Sequence, residues 1–267
     1  MQPPTESAAS PAKPARPPSF SVSQIKLYLR CPAAYMFRYV QGLVPPSTSA
    51  QMLGTAVHSG IELNYRKKIE TRRDLPLEQV KEFYSASFDY LKGKVLWERG
   101  EVPGRFKDDG VRMLSLYQTE VAPRVQPKLV EELFVVPFQN TEYSFKGIID
   151  LYDETGLVVD HKTTSRTPNP ETVHKDLQLT AYAMGLRYKE KQVEIGMAFD
   201  YIVRAKTPKI IRIESSRSQE DIDRFLRLLG QVATAIKEGR FYPNPTSFYC
   251  SSRWCAYWSQ CEGGRKL

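Results

Sequence analysis

The sequence predicts an α/β chain, and three observations carry that prediction. Apolar residues recur at helical spacing as far as about residue 125, and the spacing switches to period two from Lys128. Beyond that point strand-like runs alternate with two further amphipathic segments. The 267 residues suffice for one large domain or two small ones, and a hydrophobic content of 41% with 25% charged residues is that of a globular chain with a real core. No apolar run approaches the roughly 20 residues of a membrane span, so no membrane partner is expected. Six of the nineteen prolines fall within residues 1–18, where no apolar leader is present. That stretch reads as a disordered tail before one domain at 19–267, in a cytoplasmic protein whose four cysteines are reduced. A net charge of +8 favours a polyanionic partner such as DNA or RNA ahead of an acidic membrane surface.

Taken in order, Ser21 or Ser23 caps a first helix at 24–29, Cys31-Pro32 interrupts it, and a second helical run covers 33–40. Residues 42–50, with Pro45-Pro46, read as a loop. A helix at 53–68 carries Gly54, His58 and Glu62, the last two on one face. Helices at 77–97 and 108–125, separated by a loop at 100–104, form a helical insert of about 70–127, suited to covering a cleft. A strand at 129–136 precedes a hairpin: strands at 146–150 and 157–162 flank the turn formers Asp153, Glu154, Thr155 and Gly156. After a polar loop at 164–170, a single helix at 173–188 places Gln178 and Tyr182 on one face. Strands at 194–203 and 209–214 are joined by a basic turn. Ser218 then caps a long helix with Ile222, Phe225, Leu229, Val232 and Ile236 on its buried stripe, ending near Gly239.

Two groups of residues carry chemistry. Each hairpin strand ends in an acid where a buried strand would favour Val or Ile. Alternation puts Asp160 and Lys162 on one face and turns His161 to the other, with Asp150 beside Asp160 on the neighbouring strand. Two carboxylates so close need a cation between them, and oxygen ligands suit Mg²⁺ or Mn²⁺. Lys162 could then orient a water or neutralise charge on a phosphate. The plainer alternative is a surface hairpin with solvated charges, a packing histidine and a half-exposed Gln178–Tyr182 pair. The second group is Cys31 with Cys250, Cys255 and Cys261, three of the four lying in a C-terminal segment at 248–261. Such clustering suggests thiolate ligation of Zn²⁺ or a [4Fe–4S] cluster, and the absence of paired C-x2-C spacing leans toward iron–sulfur. Either centre would staple the first helix to the C-terminal segment.

Together these residues resemble the PD-(D/E)XK nuclease superfamily, in particular the RecB-type nucleases with an iron–sulfur cluster, a group that includes the AddB nuclease domain and the nucleases of CRISPR adaptation. The family's G-x3-H motif matches Gly54 to His58, its G-x-x-D strand end Gly147 to Asp150, its D/E-x-K strand Asp160 to Lys162, and its Q-x3-Y helix Gln178 to Tyr182. Its one-plus-three cysteine pattern matches Cys31, Cys250, Cys255 and Cys261. The resemblance implies a restriction-endonuclease-like central mixed sheet flanked by helices, with the helical insert on the N-terminal side and an iron–sulfur staple joining the ends. It implies a metal-dependent DNA exonuclease acting on single strands or ends. In that reading His58, Asp150, Asp160 and the backbone carbonyl of His161 hold Mg²⁺ or Mn²⁺, Lys162 handles the attacking water, Gln178 and Tyr182 steady the lysine and the phosphate, and the cysteines hold [4Fe–4S]. His161 stands where the family often has Tyr, and the family's further acid on the preceding strand is either Glu131 or Glu132. No G-x4-G-K-[ST] loop occurs, so unwinding would fall to a helicase or a CRISPR-adaptation partner. Two other readings stand beside this one: a DNA-binding or assembly subunit of a repair, recombination or CRISPR-adaptation complex, and a zinc-stapled RNA-binding protein.

Overall fold

The structure, a computed structural model, describes residues 19–138 and 143–265, and the tail expected at 1–18 lies outside them. The chain begins with a short strand β1 (Ser19–Phe20) and helix α1 (Val22–Arg30), which Ser21 caps by accepting the Gln24 N–H. Pro32 starts α2 (Pro32–Tyr35), which widens into a π-helical turn at Met36–Val40. The expected loop at 42–50 holds a two-residue strand, β2 (Ser47–Thr48), and α3 (Ser49–Thr71) starts directly after it. Thr48 and Gln51 close a reciprocal capping box at that start, a signal that moves the helix four residues earlier than apolar spacing alone suggests.

Helix α4 (Leu77–Leu91) stops short of the expected 97, because Val95–Leu96 forms β3, parallel to β2. Helix α5 (Pro103–Glu120) starts earlier than expected, with Pro103 in its first turn, where a missing N–H leaves nothing unpaired. Strands β4 (Pro127–Pro137), β5 (Ser144–Asp153) and β6 (Leu157–Thr164) follow. The single helix expected at 173–188 is two, α6 (Pro170–His174) and α7 (Leu177–Glu190). Asp176 breaks the run because its carboxylate takes the Gln178 N–H and so caps a new helix. Strands β7 (Gly196–Val203) and β8 (Lys209–Ser215) lead to α8 (Gln219–Lys237), capped by Ser218.

The sheet is mixed. Strand β5 is antiparallel to β4 and β6, β6 runs parallel to β7, β7 is antiparallel to β8, and β1 joins the start of β5 in parallel. Each face has its own core. Ile25, Phe145, Leu179, Phe199 and Phe225 pack on the α1, α7 and α8 side. Val57, Tyr65, Tyr84, Met113 and Val159 pack on the side of α3, α4 and α5. Val158 belongs to the first core and Val159 to the second, as alternation along a strand covered on both faces requires. Among the described residues no helix is long and apolar enough to cross a membrane.

Candidate active site

Three departures from regular sheet geometry assemble the site. The first is the parting of β5 and β6: Cα pairing holds at Leu151–Val159 and Tyr152–Val158, next to the turn, and does not continue to the next pair, Asp150–Asp160. The Asp150 carboxylate takes the place of the missing backbone partner, its Oδ2 accepting the His161 N–H at 3.0 Å. The second departure lies opposite, on β4. Glu131 has a φ of 49°, the left-handed region that costs a non-glycine residue about 1–3 kcal/mol. Across that point both strands exchange faces: Phe134 and Ile149 lie in the α7 core, whereas Val130 and Leu151 lie in the α3 core. The exchange turns Glu131 toward His58, its Oε1 lying 3.5 Å from Nδ1. Glu132 instead pairs with Lys189. Of the two acids on this strand, Glu131 is the one at the site.

The third departure is the close approach of α3. A Cβ on Gly54 would stand 2.8 Å from Thr163 Oγ1, so glycine lets the helix lie against the end of β6. One turn on, His58 reaches the strand. Its Nε2 lies 2.9 Å from the His161 carbonyl oxygen and 3.1 Å from Asp150 Oδ2. Gly147 has a comparable reason on β5, where a Cβ would stand 2.5 Å from the Phe134 ring.

On the α7 side, Tyr182 is buried, and its hydroxyl lies 2.8 Å from Asp150 Oδ1 and 3.1 Å from Asp160 Oδ1. Gln178 Nε2 donates to the same hydroxyl at 2.8 Å. The pair therefore clamps the two carboxylates, in place of the expected hold on Lys162, and Tyr182 is core rather than half-exposed surface. Lys162 Nζ sits 2.6 Å from Asp160 Oδ2, an ion pair whose angle leaves that buried oxygen without a well-directed hydrogen bond.

These contacts push the titrating groups apart. Burial, and then the Asp150 charge, raise the Asp160 carboxyl to about 7. Burial also opposes ionisation of Asp150, but the hydrogen bond and charge of His58 outweigh it and hold Asp150 below the usual carboxylate range. Burial disfavours the charged His58 ring too, yet the hydrogen bonds it donates to Asp150 and Glu131 override it and raise His58 well above its ordinary value. Lys162 follows the same pattern: burial lowers it, Asp160 and Asp150 raise it, and the net shift is upward.

His161 faces away from this cluster, as alternation predicts. Its ring is buried against the helical insert, with Nε2 2.8 Å from the Tyr117 hydroxyl, which lies 3.0 Å from that of Tyr65. Burial, followed by the His58 charge, lowers this ring to about 4, so it is neutral at physiological pH. Sequence reasoning did not find Tyr65 and Tyr117, because tyrosines at helical spacing look like core and here they are core as well.

His58, Asp150 and His161 offer ligand atoms within 4.8 Å of one another. For His161 the better atom is the carbonyl oxygen, since ring Nε2 is engaged by Tyr117 and Nδ1 stands 3.8 Å from Asp150 Oδ2. Adjacent ligands on an octahedral Mg²⁺, each about 2.1 Å from the ion, lie about 3 Å apart. The 2.9 and 3.1 Å separations around His58 Nε2 are hydrogen-bond contacts that also equal such an edge, and two oxygens with one imidazole form a set suited to Mg²⁺ or Mn²⁺. The residues fit a divalent ion.

The four cysteines meet elsewhere. Cys31 follows α1, and all four are free, half-buried thiols lining one cavity of about 260 Å³. Burial and the neighbouring thiols raise Cys250, so the sulfurs sense one another. The N- and C-terminal segments also meet through protein bonds: Tyr28 donates to the Arg240 carbonyl at 2.8 Å, Ala33 N–H to Tyr242 at 3.0 Å, and Tyr257 to Leu43 at 3.0 Å.

Comparison with known proteins agrees with this architecture. The family model of the PD-(D/E)XK nuclease superfamily matches residues 19–262. A crystal structure from Eubacterium rectale, provisionally described as an exonuclease, superposes with a TM-score of 0.60 at 12% identity, covering 93% of this chain and 87% of that one. At that identity the likeness speaks for the fold. The crystal structure of SSO0001 covers 92% of this chain and 87% of its own at 14% identity, but its TM-score of 0.42 carries no argument. No curated protein matches.

Proposed function

The chain belongs to the PD-(D/E)XK nuclease superfamily, and from that premise we propose that it is a divalent-metal-dependent deoxyribonuclease, acting as an exonuclease on single strands or DNA ends. The observation that carries the reading is the meeting of His58 Nε2 with Asp150 Oδ2 and the His161 carbonyl at 3.1 and 2.9 Å, with the Asp160–Lys162 pair alongside. His58, Asp150, the His161 carbonyl and Asp160 would hold Mg²⁺ or Mn²⁺. When bound, the ion supplies Lewis acidity to the scissile phosphate and makes water acidic enough to attack at neutral pH.

The chain's own groups do the rest. Lys162, whose side chain is 37% exposed, is the most exposed charged group of the site, and it can orient the attacking water and offset charge growing on the phosphate. The water's oxygen forms the new bond to phosphorus as the bond to the sugar oxygen breaks; the water's proton passes to bulk solvent, and the leaving sugar oxygen takes up a proton from solvent. Tyr182, oriented by Gln178, keeps Asp150 and Asp160 at fixed separation. Glu131 orients the His58 ring through Nδ1, the role a carboxylate plays behind a metal-ligating histidine.

The cysteine cavity supports a [4Fe–4S] cluster over Zn²⁺. All four cysteines line that one cavity, and their spacing lacks the paired C-x2-C pattern usual for zinc. The group would be a structural staple between α1 and the C-terminal segment. The test of function is degradation of an end-labelled DNA strand by the purified protein in Mn²⁺ or Mg²⁺. Asp160→Ala and Lys162→Ala should each lower the rate by about 10²–10⁴-fold with folding retained, and undiminished cleavage by either variant would refute the assignment. A brown protein with broad visible absorbance and bound iron is expected, and a colourless one with stoichiometric zinc would overturn the cluster reading.

A further inference from the structure

The C-terminal segment carries more aromatic surface than a cofactor staple requires. Phe248 is 75% exposed, and Tyr249 and Trp254 are each 47% exposed. Their rings form one cluster, with Phe248 5.6 Å from Tyr249 and 6.0 Å from Trp254. Two guanidinium groups lie against it: Arg30 sits 4.7 Å from the centre of the Tyr249 ring and Arg253 4.9 Å from that of Trp254. Between Gly239 and Cys261 the sequence contains no Asp or Glu. Exposed rings of this size ordinarily mark a contact surface. Rings interleaved with arginine and free of carboxylates have the composition that stacks nucleobases while drawing in their phosphates.

The patch also connects to the active site. Arg30 ends α1, and Lys26 lies one helical turn earlier on the same face, about 6 Å along the axis. Lys26 Nζ is 2.6 Å from Asp176 Oδ1. Asp176 caps α7, the helix that bears Gln178 and Tyr182, and its charge acts on Lys162. Arg30 and Lys26, the latter paired with Asp176, thus lie along α1 between the rings and the helix that bears Gln178 and Tyr182.

We propose that Phe248, Tyr249 and Trp254, with Arg30 and Arg253, form a base-stacking platform for an unpaired DNA strand, and that α1 guides this strand to the active site. The proposal rests on the nuclease reading for the direction of the strand, but the platform can be judged by binding alone. Tyr249 and Trp254 also border the cysteine cavity, whereas Phe248 and Arg253 do not, so the latter two give the cleaner variants.

The experiment measures binding of fluorescent oligo(dT) to the full chain without added divalent metal, with thermal melting and metal content recorded for every variant. Phe248→Ala should weaken binding by about 5–100-fold and Arg253→Ala by less, while Phe248→Trp keeps it near the parent's. Blunt duplex should lose little affinity in the same variants. Hydrolysis of a dinucleotide, too short to reach the rings, should not change. Affinities within twofold of the parent in both alanine variants would overturn the platform and leave the rings as a protein-docking face, and an equal loss for blunt duplex would overturn its selectivity for unpaired strands. If the parent hydrolyses no dinucleotide or strand in Mn²⁺, the nuclease reading fails, and the oligo(dT) result still decides the platform.

Discussion

Asp160 on β6 and Asp200 on β7 lie one register step apart on neighbouring parallel strands, and both are buried. Their partners differ. Arg212 meets Asp200 with a two-pronged guanidinium, both contacts at 2.7 Å, so each carboxylate oxygen has a directed donor. Asp160 has a shared tyrosine hydroxyl on one oxygen, a poorly aligned ammonium on the other, and a second carboxylate beside it. The same residue type at nearly the same depth is held by two directed hydrogen bonds in one place and, in the other, by an ammonium and a shared hydroxyl beside a competing carboxylate. Two buried carboxylates side by side are costly on their own account, and a cation that completes their surroundings offsets that cost.

The largest effects should separate these two acids cleanly. Asp160→Asn should lower Mn²⁺-dependent cleavage by about 10²–10⁴-fold while leaving the metal-free protein at least as stable as the parent. Asp200→Asn should do the reverse. It strips Arg212 of its ion partner and should cost about 2–4 kcal/mol in urea unfolding, the figure reduced because the Arg212 side chain is 34% exposed. Cleavage per folded molecule should stay within a few fold. Loss of activity in Asp200→Asn at full stability would break the contrast.

The pH dependence sharpens it. The Asp160 carboxyl, raised to about 7 in the folded protein, returns to about 3.9 when unfolded. The folded state therefore holds this proton more tightly, and the parent loses stability as pH rises between these values. In chelator, the stability gained by Asp160→Asn over the parent should grow from pH 4 to pH 7 and level off above it. Because a divalent ion competes with protons at Asp160 and His58, Mn²⁺ should bind more tightly at pH 8 than at pH 6. Calorimetric titration at the two pH values checks the sign.

Smaller effects concern the groups that position the acids. Tyr182→Phe keeps the ring and removes the clamp on both carboxylates. Cleavage should fall about 10-fold, the equivalent of one charged hydrogen bond. Gly54→Ala should slow cleavage a few fold by pushing α3 off Thr163, and Thr163→Ala in the same chain should restore most of the rate. A simple sum of the two single effects would mean that α3 does not bear on β6 there.

Much of this site could be seen in the sequence because strand alternation is local. It separated Asp160 and Lys162 from His161, and the structure keeps that division. The approach of Asp150 to Asp160 followed from the hairpin, but the parting of the strands beyond Leu151 did not, because it depends on a side chain replacing a backbone acceptor. Choosing Glu131 over Glu132 failed for a related reason. Alternation breaks at the left-handed residue itself, so no period could show which acid turns inward. The break at Asp176 was legible as a capping signal and was overridden by apolar spacing on both sides. Asp200 gave no warning, since its partner is on the next strand and nothing in β7 alone tells a paired acid from a free one.

The most direct test of the central claim is anomalous diffraction from crystals soaked in Mn²⁺. One strong peak is expected about 2.2 Å from each of His58 Nε2, Asp150 Oδ2 and the His161 carbonyl oxygen, with Asp160 in the same coordination sphere or one water away. A peak bound through the His161 ring, or no peak among these residues in metal-replete crystals, would contradict the account.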